Sequence, residues 1–348
     1  MSKISVLRFG CEGTLIDIIP DLLIGQKVFN TSGTTGIPKL LTHKISSLVS
    51  NAKAFNQVGN INPDTVMYHC FPLNYMAGLL NTIISPLVAD GSVVIGPEFN
   101  SLGFWRKPLD NGCNTMWLVP TMAEALVRVG RDPSIRQAVE SQFTDLFCGT
   151  APLSPDLRTR WLDKFGVPLR NSYGTSEALL ISVQDRDDAM ECIDDCGYVI
   201  PGVTAFQDQE SNEILVCSNF SQDVVSRTGD NGDVIPCEGN MHKIRIHGRI
   251  DDLIIKGGVN IDPRTIEQAV LGIDGVTDAI AMGIEHEFWG QDIILFVETQ
   301  HQSDEIQKHN PFANLPKSSI PTTIMCVPEF PRTNSWKIRR KELRSMIG

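Results

Sequence analysis

Hydrophobic and polar positions alternate along the first half of the chain in a way that predicts strands separated by helices. The runs VMYHCFPL (66–73), GSVVIGP (91–97) and TMWLVP (115–120) are rich in apolar and β-branched residues and predict strands. The segments MAGLLNTIISPLVAD and TMAEALVRV, which follow the first and third runs, carry apolar residues at helical spacing. Strands and helices that alternate at such short spacing predict an α/β fold with a largely parallel sheet.

A fourth predicted strand, DLFCGTAP (145–152), is followed by a helix with a defined start. Ser154 is expected to cap this helix and Pro155 to occupy its first position. After about residue 184 the pattern changes to short strands and turns, including the Gly- and Asp-rich RTGDNGDV, which predicts a β-rich subdomain. Another α/β section begins near Asp252, so the predicted domains are residues 1–250 and 251–348.

The composition predicts a globular protein without a nucleic-acid or membrane partner. The chain has 348 residues, more than one hydrophobic core usually holds, and its net charge of −11 disfavours binding to nucleic acid. The most apolar stretch near the N-terminus, LIDIIPDLLI, is interrupted by acidic residues and proline and therefore predicts no membrane span. Nine cysteines without a disulfide framework indicate reduced thiols and a cytoplasmic location.

One segment, TSGTTGIPK (31–39), is suited to binding phosphates because it combines glycines, hydroxyl groups and a lysine. It lacks the Walker A pattern, and a flexible linker built from ordinary turn residues is the alternative interpretation. Further segments with polar and glycine residues follow it along the chain. They are CGTAPLSPDLRTRW, NSYGTSE (171–177), RTGD (227–230), HGRIDDLIIKGGVNIDPRTIE (247–267) and PRTNSWKIRR (331–340).

In their order and spacing, these segments resemble the signature motifs of the adenylate-forming superfamily, which includes acyl-CoA synthetases, adenylation domains of peptide synthetases and luciferases. The resemblance extends from about residue 28 over nearly the whole chain, and it favours a phosphate loop over a linker for TSGTTGIPK. It implies an adenylate-forming α/β fold with a small, mobile C-terminal α+β lid domain. The implied reaction joins a carboxylate to the α-phosphate of ATP and releases pyrophosphate, before the acyl group passes to a thiol.

The resemblance also implies which residues bind the nucleotide. The residues expected to hold the β- and γ-phosphates are Thr31, Ser32, Gly33, Thr34, Thr35, Gly36 and Lys39. Those expected around the adenine ring are Gly149, Thr150, Ala151, Asn171, Tyr173 and Gly174. Glu177 matches a Mg²⁺ ligand, and Ser176 offers a hydroxyl group where the family usually has threonine. Asp230 and Arg249 match the residues that bind the ribose hydroxyls.

The remaining matches concern the two half-reactions. Lys337 matches the mobile catalytic lysine of the lid, whose charge is expected to stabilise the transition state. Asp251 lies at the family's hinge, where the lid rotates between adenylation and thioester formation. The expected lining of the tunnel for the thiol is Lys256, Gly257 and Gly258, and that of the acyl pocket is Asn74, Tyr75 and Gly78.

Three features depart from the family's pattern. Only thirty residues precede the phosphate loop, so most of the first N-terminal subdomain is expected to be absent, which favours an oligomer. Tyr75 replaces the histidine that gates the acyl pocket, and the pair Asn74–Tyr75 resembles one in aryl-acid-activating members. Trp336 stands where glycine normally precedes the catalytic lysine, and its indole is expected either to shape the pocket or to restrict lid closure.

The sequence thus predicts a ligase that uses ATP and Mg²⁺ to activate a small or medium carboxylic acid. CoA is the expected acceptor of the acyl group. The alternatives are the phosphopantetheine of an acyl or peptidyl carrier protein, and an amine. A non-catalytic nucleotide-binding scaffold is the alternative from another class. The presence of Lys337, Glu177, Asp230 and Arg249 argues against the scaffold, because these residues matter mainly for binding and chemistry.

Overall fold

The computed structural model describes residues 6–8, 26–31, 39–72, 75–130, 132–221 and 223–347, which form two compact units. The first unit holds the described residues up to Thr228, together with Asp233–Ile246 and Asn334–Lys337. The second holds Gly229–Gly232, His247–Thr333 and the described residues from Ile338 onward. The division into functional domains at residue 250 stays a prediction.

The strands up to residue 249 are β1 (Val6–Arg8), β2 (Gln26–Thr31), β3 (Lys39–Lys44), β4 (Val66–His69), β5 (Ser92–Ile95), β6 (Thr115–Leu118), β7 (Asp145–Gly149), β8 (Leu169–Thr175), β9 (Leu179–Val183), β10 (Tyr198–Val199), β11 (Val203–Gln207), β12 (Glu213–Ser218), β13 (Ser226–Pro236) and β14 (His242–Arg249). The helices of this part are α1 (Ile45–Gly59), α2 (Met76–Leu79), α3 (Ser85–Val88), α4 (Arg106–Asp110), α5 (Pro120–Arg128), α6 (Pro133–Gln142), α7 (Pro155–Phe165) and α8 (Arg186–Met190). A π-helical turn, Leu80–Ile84, joins α2 to α3, and a 3-10 turn spans Glu238–Asn240.

Within the described residues, the main sheet has the strand order β1-β5-β4-β6-β7-β8-β9-β10-β14-β13-β12-β11. The pairs from β1 to β8 are parallel, whereas β8–β9, β9–β10, β10–β14 and β11–β12 are antiparallel. The prediction of a parallel α/β portion followed by a β-rich portion is therefore confirmed. The Gly- and Asp-rich RTGDNGDV, expected among the turns, instead lies inside the long strand β13.

The strand order reverses at β4. Strand β5 follows β4 in sequence and lies on one side of it, whereas β6 lies on the other side. In open parallel sheets, such a reversal leaves a crevice outside the carboxyl ends of the two strands, because their connections leave in opposite directions. The fold therefore places a potential ligand site after His69 and Leu118, where β4 and β6 end.

Aromatic packing and one buried ion pair fix the strands beside this crevice. Trp117 on β6 stacks on Phe147 of β7, with ring centroids 5.6 Å apart. Arg170 on β8 bonds Asp145 at the start of β7 at 2.6 Å, and both side chains are almost fully buried. Removing one partner of such a pair leaves a buried charge uncompensated, at a cost of about 3–5 kcal/mol. The relative positions of β6, β7 and β8 are therefore strongly specified.

The start of α7 confirms the predicted cap. Ser154 has extended backbone angles, and its hydroxyl accepts a hydrogen bond from the amide of Leu157 at 3.2 Å. Pro155 occupies the first helical position, where no amide hydrogen is needed. The helix ends at Phe165 and is followed by Gly166 as its C-terminal cap, with a φ of 76° that is favourable for glycine.

The second unit has its own sheet and core. Its strands after residue 249 are β15 (Ile254–Lys256), β16 (Val259–Ile261), β17 (Val276–His286), β18 (Gly290–Thr299) and β19 (Thr323–Val327). Its helices are α9 (Pro263–Leu271), α10 (Ser303–Lys308) and α11 (Arg340–Ser345), with 3-10 turns at Ile250–Asp252 and Lys317–Ser319. In the described residues the sheet order is β16-β15-β18-β17, and β19 pairs in parallel with β18. This is the α+β arrangement expected of the C-terminal part.

One prediction concerns Glu267 on α9 in the second unit. Burial raises the pKa of its carboxyl group from 4.5 to about 7, and Arg340, 3.9 Å away, opposes this only in part. The unfolded chain ionises first, so the contribution of Glu267 to stability is greatest below pH 4.5, falls as the pH rises, and is lost above about pH 7. The full difference is about 3 kcal/mol.

We expect Glu267→Gln to remove this dependence, so that the variant gains stability relative to the wild type as the pH rises. Urea unfolding of both proteins at pH values below 4.5 and above 7 measures the difference. The exposed Glu287→Gln is the matched control and is expected to leave the pH profile unchanged. A parallel pH profile for the wild type and Glu267→Gln would contradict the assignment.

Candidate active site

Two predicted site residues come together at the carboxyl edge of the parallel strands in the first unit. Tyr75 follows β4, and Thr150 directly follows β7. The hydroxyl groups of both are buried and lie near each other, and neither completes a hydrogen bond to a third described residue. Burial raises the pKa of Tyr75 to about 12, and the interaction with the Thr150 hydroxyl opposes this. Two desolvated hydroxyl groups with unused hydrogen-bonding capacity are typical of a site that receives a polar ligand.

Lys337 lies against the same tyrosine. Its Nζ is 5.7 Å from the centre of the Tyr75 ring, within the range of a cation–π contact. The residue as a whole is partly exposed, but desolvation of the ammonium group lowers the pKa of Lys337. A cation partly removed from water acts strongly on a nearby anion. The predicted catalytic lysine is therefore at the same edge of the sheet as the predicted acyl-pocket residue Tyr75.

Trp336 has an unusual backbone conformation. Its φ is 64°, in the left-handed region that costs a bulky residue about 1–2 kcal/mol. Its indole packs edge-on against Phe99, with centroids 4.8 Å apart, and its carbonyl accepts a hydrogen bond from the Thr121 hydroxyl at 2.8 Å. Each of these contacts stabilises by about 1 kcal/mol, so together they offset the backbone cost.

The predicted phosphate loop is flanked by a β-hairpin. Strands β2 and β3 pair in antiparallel fashion, and Thr31 lies opposite Lys39 in their register. The other predicted loop residues, Ser32, Gly33, Thr34, Thr35 and Gly36, lie outside the described residues. The structure therefore supplies the base of the loop, and its contacts with phosphate stay a prediction.

Sequence analysis missed His43 on β3. Its Nε2 donates a hydrogen bond to the Ser176 carbonyl at 2.7 Å, and the histidine is buried. This bond joins a strand that flanks the predicted phosphate loop to the turn that carries Glu177. No local sequence pattern could have found this bond, because His43 and Ser176 lie 133 positions apart along the chain.

The turn after β8 presents a single carboxylate to solvent. Glu177 is exposed, between β8 and β9, and it makes no ion pair with a described residue. Gly174 lies at a β-bulge, where a side-chain carbon would come within 2.4 Å of the Leu179 carbonyl oxygen. Among the described residues, no cluster of three or more His, Cys, Asp or Glu residues could hold a metal ion. Mg²⁺ is usually held by one or two carboxylates together with substrate phosphates, so a single exposed carboxylate is compatible with it, and the role of Glu177 as a ligand stays a prediction.

The side chains of two residues expected near adenine make hydrogen bonds or packing contacts with other residues of the protein. The Asn171 side chain is buried and donates to the Asp195 carbonyl at 2.8 Å, while its own oxygen accepts from the Ser172 amide. Tyr173 is 9% exposed and packs in a hydrophobic cluster with Ala178 and Ile181. These positions favour structural roles, and their contacts with adenine stay predictions.

The strand end at Gly149 is tightly packed, whereas Ala151 two residues later is exposed. A side-chain carbon at Gly149 would lie 2.2 Å from the Ser172 Oγ and 2.8 Å from the Ser172 carbonyl oxygen. Thr150 adopts a φ of 72°, so the chain turns sharply after the strand. The predicted adenine-binding segment therefore leaves the sheet at a position that requires glycine.

The predicted acyl pocket is described in part. Asn74 lies outside the described residues, whereas Gly78 is buried in α2. A side-chain carbon at Gly78 would lie 2.8 Å from Phe71 and 3.2 Å from Tyr75, so a larger residue would displace these rings. Because Gly78 has no side chain, the Tyr75 ring can occupy its observed position. A contact between these residues and an acyl group stays a prediction.

In the second unit, the two predicted ribose-binding residues are neighbours. The Arg249 guanidinium lies 3.5 Å from the buried Asp230 carboxylate and 3.9 Å from that of Asp251. Gly229 has a φ of 71°, and a side-chain carbon there would meet Arg249 at 2.8 Å. Asp251, the predicted hinge residue, lies in the 3-10 turn after β14. The hinge and ribose roles themselves stay predictions.

The predicted thiol-tunnel residues form a tight hairpin. Gly257 and Gly258 connect β15 to β16 with φ values of 58° and 80°, which is the pattern of a type I′ turn. Lys256 makes an ion pair with Asp292 at 2.6 Å; burial opposes ionisation of Asp292, but this pair holds its pKa below its usual range. Lys256 therefore has a structural partner, and a contact with a thiol substrate stays a prediction.

Comparison with known protein families identifies the chain. The family model described as AMP-binding enzyme matches residues 28–216, which is more than half of the sequence. The chain belongs to the AMP-binding enzyme family. The model of the AMP-binding enzyme C-terminal domain also matches, over residues 265–337. The recognition made from the ordered motifs is confirmed.

The chain is similar in sequence to two proteins named as CoA ligases. The chain is 28% identical over 343 residues to a sulfoacetate–CoA ligase of Cupriavidus necator, covering 90% of this chain and 65% of that protein. It is 26% identical over 333 residues to a 2-succinylbenzoate–CoA ligase of Staphylococcus epidermidis, covering 90% of this chain and 68% of that protein. The chain thus spans about two thirds of the length of these relatives.

A solved structure shows the same fold. The crystal structure of ATP-bound MatB from Rhodopseudomonas palustris matches with a TM-score of 0.80 at 24% sequence identity, covering 92% of this chain and 67% of that chain. At 24% identity this match shows only that the AMP-binding enzyme described here has the same fold as MatB. In the described residues, no helix is long and apolar enough to cross a membrane.

A second prediction concerns the packing at Gly149. We expect Gly149→Ala to destabilise the protein by about 1–3 kcal/mol, because the added methyl group overlaps atoms of Ser172 that cannot all move. Gly130→Ala is the matched control, since a methyl group there meets no atom of the described residues within 4 Å. Urea unfolding of both variants measures the difference. Equal stability of the two variants would contradict the close packing at Gly149.

Proposed function

We propose that this protein is an AMP-forming acid–thiol ligase. It converts a small or medium carboxylic acid and ATP into an acyl-AMP and pyrophosphate, and then transfers the acyl group to CoA. The observation that carries the proposal is the desolvated Lys337 ammonium beside Tyr75 at the carboxyl edge of the parallel strands. A positive charge in such a position stabilises negative charge that grows on an attacked phosphate.

The first step is the attack of a carboxylate oxygen on the α-phosphorus of ATP. A new oxygen–phosphorus bond forms, and the bond to the β-phosphate oxygen breaks, so pyrophosphate leaves. The loop from Thr31 to Lys39 holds the β- and γ-phosphates, and Glu177 provides an oxygen for Mg²⁺, which neutralises charge on the phosphates when bound. Asp230 and Arg249 hold the ribose. The protein's contribution is therefore mainly positioning and electrostatic stabilisation.

In the second step, a thiolate attacks the acyl carbon of the acyl-AMP and AMP leaves. Asp251 serves as the hinge between the two steps, and the Gly257–Gly258 turn lies on the path of the thiol. CoA is the proposed acceptor because the relatives with 28% and 26% identity are named CoA ligases. Their named acids, sulfoacetate and 2-succinylbenzoate, are not long-chain fatty acids, which supports a small or medium acid as substrate.

The first experiment measures pyrophosphate release from ATP and Mg²⁺ with a panel of short aliphatic, hydroxylated, aryl, dicarboxylic and sulfonated acids, with and without CoA. We expect release with one class of acid, stimulated by CoA. Release that CoA leaves unchanged would point to a carrier protein or an amine as acceptor. Measurable ATP binding without release for any acid would favour the non-catalytic scaffold and contradict the ligase.

A further prediction tests the role of Lys337. We expect Lys337→Ala to reduce pyrophosphate release by about 100- to 1,000-fold, because one charge that stabilises the transition state is removed. The affinity for ATP should change little, since the loop and the ribose residues remain. Lys341→Ala, which removes an exposed lysine from α11, is the matched control and should release pyrophosphate at the wild-type rate. Normal release by Lys337→Ala would show that another group supplies the charge.

A further inference from the structure

We propose that Trp336 is a positioning residue that directs the Lys337 side chain toward Tyr75. This proposal rests on the proposed ligase function. It explains why a tryptophan occupies a backbone position with a φ of 64°, where glycine would fit without strain. A bulky side chain persists in such a conformation only where its surroundings over-determine it.

The contacts of Trp336 reach both sides of β4. Phe99, which packs against the indole, follows β5, and Thr121, which bonds the Trp336 carbonyl, follows β6. Strands β5 and β6 flank β4 in the sheet, and Tyr75 follows β4. The backbone at Trp336 is therefore held at two points that lie on either side of the strand leading to Tyr75.

The aromatic anchor of Trp336 is itself fixed in the core. Phe99 is 8% exposed and packs against Phe104 with centroids 5.2 Å apart. Phe104 packs against Tyr68, on β4, with centroids 5.7 Å apart. The indole therefore packs against a series of buried aromatic side chains, the last of which is on β4, the strand that ends at the crevice.

A fixed backbone matters more for lysine than for most side chains. Its flexible four-carbon stem normally carries the ammonium group to water. Here the ammonium lies over the Tyr75 ring, and the lowered pKa of Lys337 agrees with its loss of water. The Tyr75 phenol, with a pKa of about 12, stays neutral while the lysine titrates, so it adds no charge.

The test compares Trp336→Gly with Trp336→Phe. Glycine keeps the left-handed backbone but removes the indole, whereas phenylalanine keeps a ring that can contact Phe99. We expect kcat for pyrophosphate release to fall by about 10- to 100-fold in Trp336→Gly, with KM for ATP nearly unchanged, because the lysine is misplaced and the nucleotide contacts remain. Trp336→Phe should restore most of kcat.

A second readout does not depend on activity. Lysines are methylated with ¹³C-labelled formaldehyde, and the Lys337 signal is identified by its absence in Lys337→Arg. In the wild type this signal should titrate below the signals of exposed lysines, and in Trp336→Gly it should titrate with them. Because no substrate is needed, this result decides the role of Trp336 even if no acid in the panel supports pyrophosphate release.

Asn212→Gly is the control for the backbone change. Asn212 is an exposed turn residue with a φ of 56°, so the variant introduces glycine at another left-handed position and should alter neither readout. If Trp336→Gly fails to fold, Phe99→Leu and Thr121→Val each remove one of the two anchors and should raise the Lys337 pKa toward that of exposed lysines. An unchanged Lys337 titration and kcat in folded Trp336→Gly, or an unchanged titration in both anchor variants, would overturn the proposal.

Discussion

The reversal of strand order at β4 is the constraint on which the site in the first unit depends. Parallel strands must be joined by crossovers, and the crossovers from β4 to β5 and from β5 to β6 place these strands on opposite sides of β4. At this point of the carboxyl edge the connections diverge. Tyr75 follows β4 and Thr121 follows β6, so both come from strands that end at this point. Topology thus locates the candidate site before any side chain is considered.

The side chains in this gap carry energetic costs that a purely structural core would avoid. A tryptophan in a left-handed conformation, a desolvated ammonium group and two buried hydroxyl groups with unused hydrogen-bonding capacity each lower stability. The strands that lead toward them are fixed by well-packed elements such as the Trp117–Phe147 stack and the Asp145–Arg170 pair. Strain concentrated on a rigid scaffold is typical of a functional site, because the scaffold prevents the strained groups from relaxing.

The order of strands and helices and the helix cap could be predicted from the sequence, because each depends on a strong pattern among neighbouring residues. The Ser154 cap and the parallel α/β order depend on neighbouring residues and on hydrophobic period, and the structure confirms both. The bond from His43 to Ser176 joins positions 133 residues apart, and no local pattern reports it. The ion pair of Lys256 with Asp292 and the protein contacts of Asn171 were missed for the same reason. In the RTGDNGDV segment a local pattern was misleading: its Gly- and Asp-rich composition favours turns, but the segment pairs within the sheet as part of β13.

The buried hydroxyl groups of Tyr75 and Thr150 have a consequence for discrimination between molecules that would enter the gap. A molecule that placed a hydrogen-bonding group beside them would restore interactions that both hydroxyls lost when they left water. A molecule of equal size with a methyl group at that point would leave their remaining hydrogen-bonding capacity dry and unsatisfied, which is penalised more heavily than a missing apolar contact. Buried hydroxyl groups of this kind would therefore select mainly by rejecting the apolar competitor.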